Sequence, residues 1–207
     1  MRNFKINQYP YNESEKFYYK DNITFQPGVT ILVGCNGSGK STLLRSIRDQ
    51  LKQSNIPVMH YDNYSEGGHN SMQNAVDISM TLLATLATSS EGEQIIVNIG
   101  QTAKEIGEFA KLHTNEKEIW ILFDAIDSGL SIDNVMDIKK YLFNTILKDN
   151  LNKDVYIIAS ANGYEMCSNE QCFDVTEGKY TTFNSYKDYK KFILKSNLYK
   201  EHRNEKR

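Results

Sequence analysis

Cysteine, proline and tryptophan are scarce in this chain: three, three and one among 207 residues. Three cysteines, an odd count without framework spacing, exclude a disulfide scaffold and suit a reducing cytoplasm. Cys167 and Cys172 lack both the spacing and the second pair that a zinc site needs. His60, His69, His113 and His202 show no metal-ligand spacing either, and read as surface or loop residues. Long apolar runs are missing: no stretch approaches the roughly 18 residues of a membrane span. Met1-Arg2-Asn3-Phe4-Lys5 holds no apolar segment of the secretory kind. The expectation is a cytoplasmic protein with no membrane partner. Excess charge is missing as well. Twenty-four Lys and Arg against 26 Asp and Glu leave a net charge of −2, so contact with DNA would need a local basic patch.

What is present is an ordinary globular composition, 40% hydrophobic and 24% charged, in a chain long enough to bury a core as one domain over 1–207. Val29–Val33 is an apolar strand after the Pro27-Gly28 turn, with Ile23–Phe25 expected before it as a paired strand. Leu43, Leu44, Ile47 and Leu51 recur at helical spacing over Lys40–Gln53. Pro57–Tyr61 is a short strand, the polar stretch Asp62–Asn70 a loop, and Ala75–Ala87 a helix. A long helix from about Gly92 to Leu112 carries Ile95, Ile99, Ile106 and Ala110 on one face. Ile119–Phe123 and Val155–Ala159 are continuous apolar runs of the kind buried on both faces of a parallel sheet. Ile132–Leu147 is amphipathic helix, Phe173–Val175 and Lys179–Phe183 form a hairpin, and Tyr186–Leu194 is a closing helix. The tail after Ser196 is expected to fray, and Lys200–Arg207 to be solvated.

Between the Val29–Val33 strand and the Lys40 helix lies Gly34-Cys35-Asn36-Gly37-Ser38-Gly39-Lys40-Ser41-Thr42. Strand, GxxxxGK[ST], helix is the full context of a phosphate-binding loop. Glycines let the backbone wrap so that amides face phosphate oxygens, and the helix N-terminus adds partial positive charge. Lys40 is expected on the β- and γ-phosphates, Ser41 on Mg²⁺ and Thr42 near the α-phosphate. The nearest string to a guanine-reading motif, Asn152-Lys153-Asp154-Val155, lacks its final Asp, and no Arg-rich lid follows the loop helix. ATP with Mg²⁺ is therefore the expected ligand. Ile119–Phe123 ends in Asp124, a carboxylate at the ligand edge of the sheet, which makes it the second Mg²⁺ residue. The fold expected is α/β: a P-loop NTPase with a mainly parallel sheet flanked by helices, antiparallel strands at the N-terminus, and a small helical subdomain over about 62–112.

These residues resemble the ATP-binding-cassette class, and among it the SMC, RecF and OLD-like ATPases. Asn36-Gly37-Ser38-Gly39-Lys40-Ser41-Thr42 looks like its phosphate loop, and Asp124-Ala125-Ile126-Asp127-Ser128-Gly129-Leu130-Ser131 like its magnesium strand and dimer-facing loop. Ser90-Glu91-Gly92-Glu93 resembles its signature, and Asn162 falls where its switch residue stands. Ser90-x-x-Glu93 is equally a capping box at a helix start, and the two readings are compatible. Asn162 is equally a turn former before Gly163. The resemblance covers about 20–185 and implies a head-to-tail homodimer. ATP would join the phosphate loop of one copy to Ser90 and Gly92 of the other. The interval from Gly34 to Ser90 has no room for a coiled-coil arm, so the head is compact.

Two departures bear on catalysis. The family's general base, a glutamate after the magnesium aspartate, is here Ala125, which accepts no proton. Slow hydrolysis is expected, with Asp127 as the nearest substitute. Asn162 replaces a histidine and does not titrate near neutrality. Asp62 and Asn63 occupy the region of a missing glutamine. Tyr18 and Tyr19 are within reach of adenine, although core or surface roles suit them better. Three functions compete: an ATP-driven dimerising ATPase, a nucleotide-gated module for an effector protein with little turnover, and a DNA-binding clamp head.

Overall fold

The computed structural model describes residues 1–11, 16–62 and 91–205. The expected helix Ala75–Ala87, and Asn63, His69 and Ser90, lie outside them. Among the described residues, eight strands form two sheets. β1 (Arg2–Lys5) and β2 (Asn22–Phe25) make an antiparallel pair. The main sheet has the order β4-β5-β6-β3-β7-β8, from β3 (Gly28–Val33), β4 (Val58–Asp62), β5 (Glu118–Asp124), β6 (Asp154–Ser160), β7 (Cys172–Asp174) and β8 (Lys179–Thr181). All its pairings are parallel except the β7–β8 hairpin. β2 was expected to pair with β3 and does not. Pro27 and the positive φ of Gly28 (109°) redirect the chain between them, and β1 takes the place of partner.

The apolar runs of β5 and β6 are buried on both faces, as their composition implied. Ile119, Ile121 and Phe123 join one core with Val155, Ile157 and Ala159. Trp120, Leu122, Tyr156 and Ile158 join the other with Phe25 and the α1 residues Leu43, Leu44 and Ile47. Helix α1 (Lys40–Gln53) ends where the periodicity placed it. Trp120 and Tyr156 are cross-strand partners whose rings stack 3.9 Å apart at 4°, and Trp120 is fully buried. Burial of side chains this large contributes about 1.5–3 kcal/mol each.

Helix α2 (Glu91–Leu112) precedes β5. The amphipathic run after β5 is not one regular helix. α3 (Ile132–Asp137) passes through a π-helical turn, Ile138–Phe143, into α4 (Asn144–Asp149). The wider turn holds buried Lys139, whose Nζ donates to the Glu165 and Ser168 carbonyls at 3.0 and 2.5 Å. A short α5 (Tyr164–Cys167), unforeseen from sequence, receives that tie. The closing helix α6 runs Tyr186–Glu205, far past the expected end at Leu194. Ser196 and Lys200 both touch the phosphate loop, so the chain just past Ser196 is helical and docked where a frayed tail was expected, and Lys200 is half-buried. His60 was expected in a loop or on the surface and instead sits half-buried in β4. Burial, with Arg48 nearby, holds its imidazole pKa below its usual value and so favours the neutral form. No helix among the described residues is long and apolar enough to cross a membrane.

Candidate functional site

The phosphate loop leaves the C-terminal edge of β3, the central position of the sheet, where crevices open between strand ends. Gly39 caps α1 at φ 99°. A Cβ there would meet the Phe17 ring at 2.7 Å and the Tyr18 hydroxyl at 2.6 Å, so only glycine fits. Tyr18 is core: it is buried, and its hydroxyl donates to the Gly39 carbonyl at 2.7 Å. Tyr19 is half exposed, edge-on to Tyr199. Neither lines the cavity at the loop. Tyr11 and Phe17 do, together with Asn36, Gly37, Gly39, Lys40, Ser41, Thr42, Asp124, Ala125, Ser160 and Asn162, around about 450 Å³. Tyr11 shares a hydrogen bond with the Thr42 hydroxyl and packs edge-on to Phe17. Sequence reasoning missed both aromatics. The signal was their place upstream of the loop, diluted by thirteen tyrosines.

Lys40 is buried, and its Nζ donates to the Gly34 carbonyl at 2.9 Å and the Cys35 carbonyl at 3.4 Å. Burial lowers its pKa, while Cys35, Asp127 and Asp124 oppose that shift. Ser38 is also buried, and its hydroxyl has no hydrogen-bond partner among the described residues. A buried hydroxyl without a partner inside a loop of this kind is a ready donor or acceptor for a ligand.

Asp124 ends β5, and β6 lies between it and the loop strand β3. Ser160, at the end of β6, spans the gap. Its hydroxyl donates to Asp124 Oδ1 at 2.7 Å and accepts the Ala125 N–H at 2.7 Å. The Ser41 hydroxyl donates to the same Asp124 oxygen at 3.0 Å. Ser160 was not foreseen; a serine closing an apolar strand was its only mark. The fit for Mg²⁺ rests on donor chemistry. One buried carboxylate and one hydroxyl converge, and no cluster of three His, Cys, Asp or Glu exists among the described residues. Mg²⁺ takes few protein oxygens and completes its shell with phosphate and water, so these donors suit it. Ala125 is buried at φ 53°, and the loop it opens brings Asp127 round. Both Asp127 oxygens accept the Asn162 N–H, at 2.8 and 3.1 Å, and Oδ2 accepts the Gly163 N–H at 2.6 Å. Burial pushes the Asp127 carboxyl up, and those amides oppose the shift. Asn162 Nδ2 donates to the Ser128 hydroxyl at 3.0 Å. Asp62 ends β4 in register with Asp124. Gly92 lies in the first turn of α2, and the placement of Ser90 is outside the described residues. A larger cavity of about 830 Å³, between α2 and the α3–α4 run, shares no lining residue with the cavity at the loop.

A family model described as an AAA domain matches residues 23–153, more than half of the chain. Among solved structures, cbiO1 from Clostridium perfringens, part of the ABC transporter complex cbiONQ, is 17% identical. That match covers 95% of this chain and 92% of that one, with a TM-score of 0.47. MJ1267, an ATP-binding cassette of an ABC transporter, is 16% identical over 96% of both chains, with a TM-score of 0.49. No curated protein matches. With a phosphate loop on the central strand and a buried aspartate at its hydroxyl, the chain belongs to the AAA domain family of ATP-binding P-loop ATPases.

Proposed function

We propose that this chain is a compact ATPase head of the ABC class, akin to the SMC, RecF and OLD-like proteins, in which Mg-ATP joins two copies head to tail. The observation that carries the reading is the junction of Ser41, Asp124 and Ser160 beside the phosphate loop, followed at once by an alanine. Asn36 to Thr42 bind the phosphates, with Lys40 moving from its carbonyls to the β- and γ-oxygens. Phe17 and Tyr11 take the base side. Ser41 and Asp124 hold Mg²⁺, which supplies charge neutralisation on the phosphates. Ser90 and Gly92 reach the nucleotide of the opposite copy. The protein works without a membrane partner, in the cytoplasm.

Turnover in this reading is slow. Ala125 has no proton acceptor. Asp127, the nearest carboxylate, is engaged with two amides, so its first task is to hold Asn162 at the cavity. The same observation supports a second reading, a nucleotide-gated module for an effector protein or a DNA transaction, with negligible turnover.

The test is molar mass in solution with and without Mg-ATP, with phosphate release followed in parallel, for wild type and Lys40→Ala. A dimer formed on ATP by wild type alone is expected, with little phosphate released. A wild type that stays monomeric at saturating ATP ends the dimerising reading. Rapid Lys40-dependent phosphate release ends the second.

A further inference from the structure

Helix α6 touches the phosphate loop at two points one turn apart. The Ser196 hydroxyl, buried, accepts the Cys35 N–H at 3.0 Å. Lys200 Nζ donates to the Asn36 carbonyl at 3.0 Å across 164 residues of chain. Residues four apart share a helix face, so both contacts come from one side of α6. The Lys200 side chain lies over Gly37: a Cβ there would meet its Nζ at 3.3 Å and its Cε at 3.4 Å. Lys40 bonds the Gly34 and Cys35 carbonyls. Three successive loop carbonyls thus receive ammonium groups, the third from a lysine outside the motif.

We propose that Lys200 is a nucleotide-positioning residue, acting through the Asn36–Gly37 peptide on the phosphates bound by the loop. The inference rests on the ATP-binding reading above. An ammonium bonded to a peptide oxygen draws electron density from that peptide, and its N–H side becomes more positive. Here the N–H side belongs to Gly37, and Asn36 and Gly37 both line the cavity at the loop. Lys200 itself does not line it, so its charge is delivered through the peptide. Ser196 makes the arrangement specific: a lysine–carbonyl bond near the surface is weak alone, but the buried Ser196 contact fixes the register of α6 on the loop. When Lys40 turns to the phosphates, Lys200 still holds the front of the loop.

The test uses the full chain, with titrations of Mg-ATP and thermal melts without nucleotide. Lys200→Met keeps most of the side-chain length and removes the charge; Lys200→Arg restores the charge. The expected result is a roughly five- to tenfold weaker Kd for Lys200→Met (the value of one ordinary hydrogen bond, since the charge acts through the peptide), recovery to within about twofold in Lys200→Arg, and an unchanged Tm without nucleotide. Wild-type affinity in Lys200→Met overturns the inference. So does a fall in Tm matched by weak binding that arginine does not rescue, since that marks a structural tether only. Failure of wild type itself to bind Mg-ATP overturns the ATP reading first, and this inference with it.

Discussion

Asp127 shows how one carboxylate can be legible as a residue and not as a role. Its place three residues after Asp124 made it the nearest substitute for the missing glutamate, but nothing in the sequence indicated that the Asn162 and Gly163 amides would converge on it. Asp127→Asn removes the charge and turns an NH₂ group toward two N–H donors. A loss of about 1–3 kcal/mol is expected, from donors left without acceptors, measured by urea unfolding near neutral pH. The pH dependence has a definite sign. Burial raises this carboxyl in the folded chain, so between the usual carboxylate range and the raised value the folded state holds more protons than the unfolded. The stability it contributes is greatest in acid, falls as pH climbs through that window, and is constant above it. The advantage of wild type over Asp127→Asn should narrow across the same window. A gap that widens would contradict the assignment. Tyr11 and Phe17 were hidden for a different reason: aromatic residues carry no positional code until the backbone places them.

At the scale of elements, the parallel strands and the loop helix were readable because their signals are local. A continuous apolar run means two buried faces, and a 3.6-residue period ending at Gln53 means a helix of that length. What escaped was long-range. The pairing of β2 with β1 joins residues some twenty positions apart, and the continuation of α6 past Ser196 runs beside a loop about 160 residues upstream. The π-helical turn escaped because its reason, a buried Lys139 reaching α5, lies off the helix. Ser160 ties the ends of β5 and β6 together at the site. Ser160→Ala removes the acceptor of the Ala125 N–H and a donor to Asp124. Mg-ATP binding should weaken at least about tenfold, with ADP measured without metal changed less, since one hydrogen bond to a charged group is worth that or more. Equal loss for both would mean that the serine shapes the loop and not the aspartate.

For the whole molecule, composition excluded more than it assigned, and the ordered motifs named the fold and the ligand class. Whether two copies meet across ATP is a property of a pair, and one chain carries only its half. The signature resemblance at Ser90 yields a clean expectation: Ser90→Arg abolishes the ATP-dependent dimer and leaves the ATP Kd within about twofold, by sedimentation and titration. Dimers of normal affinity would return Ser90 to a helix cap. The stacked Trp120 has a consequence of another kind. It is the sole tryptophan, fully buried, with an indole N–H that lacks a hydrogen-bond partner among the described residues. It sits four residues before Asp124 on the same strand. Its emission is therefore expected to be blue-shifted in the folded chain and unmixed with any second indole, and on the ATP-binding reading it would report strain that reaches β5 on addition of Mg-ATP.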